Sequence, residues 1–286
     1  ALASFLRASL ASVWCARMCL AIAACQARIH SSLSSASCTP VTIDTQGVDH
    51  HCWPDANTIV AVLSKADAFT PLDRITHAPF VRPGGTVCQK PGYDTDTRTI
   101  LVAPKSLTGI EVPEDPTDAE VTEARDLLVG DWLRDMPFPD DASRANALAL
   151  MLTPFVRGLV PLAPLAVIDG AQMGVGKNLL VDCFCILVTG VAADPKLLNP
   201  DDDENRKLIL SVFRSGRDIH AFDEAHTLQG NALAHALTAE TYSGRVLGVS
   251  DIAEFPNRVS WMAMGNQVQV RGDLTRRVYR VELDPD

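Results

Sequence analysis

The opening of this sequence lacks the long apolar run that a membrane segment would need. Its first thirty residues are rich in Ala, Leu and Cys, yet Arg7, Arg17 and Arg28 interrupt them, and the longest apolar run is Met18–Cys25. A spanning helix takes roughly 20 such residues. One or two amphipathic helices are therefore expected there, and no membrane association. Positive charge is also short: 25 Lys and Arg face 35 Asp and Glu, for a formal net charge of −10. That balance opposes indiscriminate attraction to nucleic acid over the whole surface, while leaving room for a locally basic loop or pore. A cysteine framework is missing as well. The eight cysteines are scattered, and Cys15, Cys19, Cys25, Cys38, His50, His51 and Cys52 include no Cys-x₂-Cys pair of the zinc-knuckle kind. Such usage fits buried thiols in a reducing, cytoplasmic setting. The sequence begins at Ala1 without a Met, so further residues are expected before it.

What is present suffices for a sizeable core, since 47% of the 286 residues are apolar. Residues 1–50 read as an uncertain helical and linker segment, Ser/Thr-rich toward its end. Residues 51–110 read as a small α+β region, with a short helix at 54–66 and short strands over 79–103 separated by Pro83-Gly84-Gly85 and Pro91-Gly92. Residues 111–160 are helical. Eleven acids and two arginines crowd 111–141, and Thr117-x-x-Glu120 is a capping box, so a helix begins near 118. Val121, Ala124, Leu128 and Trp132 would share its apolar face. A second helix over 142–158 would turn Leu148, Met151, Leu152 and Phe155 inward, with Pro154 loosening it. From 161 to 286, strands and helices alternate, which implies a parallel sheet with crossover helices and an α/β fold. Strands are expected at 162–168, 217–222, 245–249, 258–264 and 278–283.

One segment outweighs the rest. The apolar run Leu162–Ile168 feeds Gly170-Ala171-Gln172-Met173-Gly174-Val175-Gly176-Lys177-Asn178, and the apolar stretch Leu179–Val188 follows. Strand, glycine-rich turn and helix in that order form a phosphate-binding loop: backbone N–H groups point inward and the helix N-terminus favours an anion. Residues 171–178 would cradle the phosphates of ATP, with the Lys177 ammonium on the β- and γ-phosphates. Asn178 stands where a Ser or Thr hydroxyl ordinarily meets Mg²⁺.

Three further pieces follow in sequence. Ile219–Phe222 ends in Asp223-Glu224, 46 residues after Lys177. Asp223 would hold Mg²⁺ through water and Glu224 would polarise the attacking water. The apolar run Ser260–Met264 ends in the amide Asn266, with Gln267 beside it; in P-loop ATPases of the AAA+ type, which this arrangement resembles, such an amide orients water against the γ-phosphate. Arg276 and Arg277, after Gly272-Asp273, are candidates for an arginine supplied to a neighbouring subunit's γ-phosphate.

With these residues in place, the chain resembles the ATPase part of primase–helicase proteins of phages, plasmids and integrated mobile elements, within the AAA+ / superfamily 3 helicase-like group. The resemblance spans roughly 72–286. It is carried by Ala78–Thr86, Pro91-Gly92-Tyr93-Asp94, Leu152–Arg157, the Ala234, Leu237, Thr238 and Ala239 pattern, Gly244–Gly248, Met264–Gln267 and Gly272–Arg277. It implies a P-loop NTPase core with a parallel sheet flanked by helices, preceded by a smaller α+β and helical region; the family's C-terminal lid is not expected within the sequence, which stops at Asp286. It also implies a ring, often a hexamer, single-stranded DNA threaded through the pore, an upstream primase domain or partner, and replication of a mobile element. A hairpin before the Asn266 strand would enter the pore, which makes Arg245 and Arg258 the candidate nucleic-acid contacts. Two departures bear on turnover. Asn178 replaces the usual hydroxyl; its amide oxygen can still hold the water of Mg²⁺, with slower hydrolysis expected; Glu224 stands where such relatives often carry Asn, which favours a competent base. The alternative is an assembly or loading switch that binds ATP with little or no turnover.

Overall fold

A computed structural model describes residues 41–43, 49–51, 72–102, 111–113, 115–245 and 252–285. The expected N-terminal helices, the helix at 54–66, all of Cys15, Cys19, Cys25, Cys38 and Cys52, and residues 246–251 lie outside the described residues. The chain divides into two units, Ala1–Leu72 and Asp73–Asp286. In the first, β1 (Val41–Ile43) and β2 (Asp49–His51) pair antiparallel, Val41 opposite His51. No helix among the described residues is long and apolar enough to cross a membrane.

The second unit begins with short strands, as its turn-rich sequence leads one to expect. β3 (Arg74–Thr76) runs parallel to β7 (Thr99–Leu101), with β6 (Gly92–Asp94) antiparallel on the other edge of β7. β4 (Phe80–Val81) and β5 (Val87–Cys88) form a hairpin. The capping box then starts α1 (Asp118–Arg125): the Glu120 N–H donates to Thr117 Oγ1, and the Thr117 N–H donates back to Glu120. The expected continuous apolar face does not form. After Arg125 the backbone becomes a π-type turn, Asp126–Trp132, and such a turn rotates every later side chain. Val121 and Ala124 are exposed, and only Leu128 and Trp132 reach the core. α2 (Asp141–Val156), capped by Asp140, runs through a buried Pro154. It turns Leu148, Met151 and Phe155 inward as expected, but Leu152 falls on the solvent side.

A five-stranded parallel sheet follows, with helices on both faces. Its order is β16-β8-β14-β10-β9, where β8 is Leu165–Gly170, β9 Lys196–Leu197, β10 Ile219–Asp223, β14 Ser260–Asn266 and β16 Val278–Leu283. α3 (Lys177–Thr189) and α4 (Asp202–Arg214) are the crossovers. β8 and β14 are buried on both faces, and their near-continuous apolar sequence suits only that position. Alternate residues of the strands divide the core. Ala166, Ile168, Ala221, Met262 and Met264 meet α2 and α3. Leu165, Val167, Phe222, Trp261 and Ala263 meet α4, the short α5 (Asn231–Ala236) and β12 (Thr241–Arg245).

The sheet order differs from the chain order at one place that matters. β14, a late strand, inserts between β8 and β10 and pairs with both. β12 returns antiparallel on β13 (Ile252–Pro256), a strand the sequence pattern did not announce because both of its faces stay partly exposed. The strand expected at 245–249 ends at Arg245, and its remainder is not described. Small pairs complete the unit: β11 (Thr227–Leu228) runs parallel to β15 (Gln269–Val270).

Candidate functional site

The glycine-rich turn leaves the C-terminal end of β8 and enters α3 at Lys177. Gly176 holds φ at 99°, a left-handed conformation that a side chain would oppose. α1, α2 and α4 are each capped by a side-chain oxygen, from Thr117, Asp140 and Asp201 respectively. α3 has no side-chain cap, so its first N–H groups stay open to an outside acceptor. Val175 is buried and anchors the turn in the core, while Ala171, Gln172, Met173 and Gly174 are exposed around it.

Parallel register places the other candidates at the same end of the sheet. Gly170 stands opposite Asn266 on β14 and Leu283 on β16, and β10 ends at Asp223 one strand beyond. The Lys177 ammonium donates to Asn266 Oδ1 at 2.5 Å and to the Gln172 carbonyl at 3.3 Å. Its pKa is lowered, first by burial; the nearby carboxylates of Asp169 and Asp223 act the other way. Asp223 Oδ1 accepts from the N–H of Glu224 at 2.8 Å. Glu224 is exposed and holds a left-handed backbone, φ 49°; Gln267, the residue after Asn266, does the same at φ 52°. Such a conformation is strained for a residue with a side chain, and here it turns the chain sharply off the ends of two adjacent strands. Asn178 lies on the exposed side of the first turn of α3, and its side chain has no hydrogen-bond partner among the described residues.

Gly265 explains how these loops come so close. A Cβ on it would lie 2.2 Å from the Ala225 carbonyl oxygen and 2.8 Å from Val268 Cγ2. The chain after Glu224 therefore passes directly over β14, where the Ala225 N–H donates to the Met264 carbonyl at 2.9 Å. Sequence reasoning placed Gly170 and Gly265 only within longer motifs, without this packing role, and did not name Asp169. Asp169 is the lone acid inside the strand that feeds the turn, which was the available signal. A cleft of about 200 Å³ flanks the turn, bordered by Ala171, Pro139 and Leu283 and by the acids Asp169, Glu282 and Asp284.

The arginine candidates lie elsewhere. Arg276 and Arg277 sit in a 3₁₀ turn before β16, at the end of the sheet opposite the glycine turn. Both pair with Asp273 at 2.6 Å; the Arg276 side chain is 72% exposed and that of Arg277 19%. Arg245 is exposed at the last described residue of β12. Arg258 is not on the hairpin arm with it. It is half-buried at the N-terminal side of β14, where burial and the neighbouring Arg74 lower its pKa and Asp73 and Asp218 oppose them. Arg74 itself is paired with Asp218 at 2.6 Å.

No protein-family model and no curated protein sequence matches this chain. Solved structures similar to parts of it include two. One is the C-terminal region of NrS-1 in its A-form apo structure, at 18% identity and a TM-score of 0.36, over 79% of this chain and 52% of that one. The other is JCV helicase bound to a thiazolopyridine-phenoxyphenyl acetamide, at 14% identity and a TM-score of 0.32, over 59% and 51%. The chain thus spans about half the length of each. Similarity at this level leaves the functional assignment to the chain's own residues.

Proposed function

We propose that residues 161–286 form a P-loop ATPase core that binds and hydrolyses ATP as a helicase-like motor module in the replication of a mobile element. The observation that carries this is the contact of Lys177 with Asn266. It joins the glycine turn to the end of the inserted strand, beside the Asp223–Glu224 pair. The open N–H groups of α3 and the Lys177 ammonium receive the β- and γ-phosphates. In this reading a phosphate takes the Lys177 ammonium and Asn266 turns to the attacking water. Glu224, exposed and held at a sharp turn, is the base that accepts that water's proton. A bound Mg²⁺ would supply positive charge against that of the phosphates. Asp223 and Asn178 are the residues to hold it. Among the described residues no group of three or more His, Cys, Asp or Glu side chains is arranged to hold a metal ion by itself.

Arg276 and Arg277 support assembly into a ring. Six residues of β16 separate them from the glycine turn of their own chain, about 17–20 Å of strand. In this reading the phosphate they serve is a neighbour's. Arg245, at the exposed arm of the β12–β13 hairpin, is the better-placed contact for single-stranded DNA, and repetition around a ring would concentrate its charge despite the acidic total. An upstream primase domain or partner belongs to the same proposal.

ATP turnover measured with and without single-stranded DNA tests it. The expected result is DNA-stimulated hydrolysis that Lys177→Ala abolishes; a folded chain that binds no nucleotide would refute it. One observation favours a second reading, an ATP-dependent assembly or loading switch: Asn178 supplies an amide where a hydroxyl would ligate Mg²⁺. Asn178→Thr separates the two. Turnover that rises with the hydroxyl marks a slowed motor. Parent and variant that both bind ATP and assemble without turnover mark a switch.

A further inference from the structure

Beneath the glycine turn, a charged clamp grips the peptide groups of a single residue. Asp169 on β8 accepts from the Val268 N–H with both carboxylate oxygens, each at 3.2 Å. Arg280, midway along β16, pairs with Asp169 and donates from its other terminal nitrogen to the Val268 carbonyl at 2.6 Å. The N–H and the C=O of Val268 are thus held by two opposite charges that also hold each other. Arg280 is anchored in turn, because its own carbonyl accepts from Asn146 Nδ2 of α2 at 2.7 Å.

The position of Val268 gives the clamp its meaning. It lies two residues past Asn266, with the left-handed Gln267 between them. Its side chain is buried and would touch any Cβ placed on Gly265. The turn from Asn266 to Val268 therefore has a fixed floor and a fixed end. A shift of Val268 carries Asn266 Oδ1 away from the Lys177 ammonium. The pair joins two adjacent strands of the sheet and, through the N–H and C=O of Val268, also holds the turn that presents Asn266. The Asp169 carboxylate is also largely withdrawn from water, so losing its cation leaves a poorly compensated charge next to the phosphate site.

We propose that Asp169 and Arg280 are positioning residues, which set Asn266 against Lys177 through the Val268 peptide. The inference rests on the glycine turn being a nucleotide site, and its test has one readout that needs no nucleotide. Resonances of the Asn266 side-chain amide and the Lys177 ammonium would be followed by NMR in the full chain, alongside kcat and KM for ATP. In Arg280→Ala, folded by circular dichroism, both resonances should shift and the Val268 amide should exchange at least tenfold faster. The kcat should fall at least tenfold with KM within threefold. Arg280→Lys, which keeps the charge, should recover part of both effects. Arg280→Gln, which keeps a donor for the Val268 carbonyl, takes the place of Arg280→Ala if that variant does not fold. Unmoved Asn266 and Lys177 resonances in the folded variant overturn the clamp whatever the turnover. A parent chain that binds no ATP overturns the proposed ATPase instead, and the resonances still decide the clamp.

Discussion

The Lys177 ammonium meets Asn266 Oδ1 at 2.5 Å, although 89 positions separate the two residues in sequence. This contact makes the glycine turn more than a strand-to-helix connection, because it aims the one cation of the turn at the amide that ends the neighbouring strand. Lys177→Ala should abolish ATP binding, read by fluorescence of a labelled nucleotide. Asn266→Ala should leave binding within a few-fold and reduce kcat by about 10²-fold, as expected for a group that acts in the transition state. Equal losses of binding in the two variants would contradict the separate roles.

Glu224 should be separable from binding altogether. Glu224→Gln keeps the shape of the side chain at the strained turn and removes the proton acceptor. Turnover should drop by about 10²–10⁴-fold with ATP affinity retained. Single-turnover assays beside equilibrium binding check this, and undiminished turnover would assign the base elsewhere.

Gly265 predicts a structural failure rather than a chemical one. In Gly265→Ala the new methyl would sit 2.2 Å from the Ala225 carbonyl oxygen, which is backbone and cannot step aside. Overpacking of this kind costs about 1–3 kcal/mol or more, and the melting temperature should fall by about 3–10 °C. The loop bearing Glu224 should move with it, so turnover falls more than stability alone accounts for. Thermal melts and kcat on the same preparation test both statements.

The arginine pair predicts complementation. Arg276→Ala and Lys177→Ala should each be inactive alone, and mixing them should restore partial activity, because an intact glycine turn can then meet an intact arginine across an interface. Arg276 is the more exposed of the pair, so Arg276→Ala should lose more activity than Arg277→Ala. Mixtures that remain inactive would argue against a shared site.

His220 makes stability depend on pH. It lies buried on β10 between Phe222 and Trp261, with both ring nitrogens unbonded among the described residues. Burial first, then the charges of Arg217 and Lys196, lower its pKa to about 4, with Asp194 opposing them. The unfolded chain takes up this proton near pH 6.5 and the folded chain only near 4. Stability is therefore full above about pH 6.5 and declines as pH falls toward 4, by up to about 3 kcal/mol. His220→Phe should flatten that decline in melts run across the interval. An unchanged slope would place the titration on other groups.

Much of the site could be read from residue order, because its pieces are local. An apolar strand followed by glycines and a lysine must turn sharply and start a helix, and Thr117 with Glu120 marks a helix start within four residues. The acids Asp223-Glu224 and the amide Asn266 were legible as strand ends for the same reason. Other features depend on which strands become neighbours, and no local pattern encodes that. The insertion of β14 between β8 and β10 creates the Lys177–Asn266 contact and the need for Gly265. The parallel alignment of β16 separates Arg276 and Arg277 from their own chain's turn. Arg258 ends half-buried beside Arg74 instead of on the hairpin arm, and the π-type turn after Arg125 undoes the apolar face expected of α1, because packing there outweighs helical periodicity. Local stereochemistry specified the turn, the caps and the strand ends; long-range pairing of buried strands specified which of them meet.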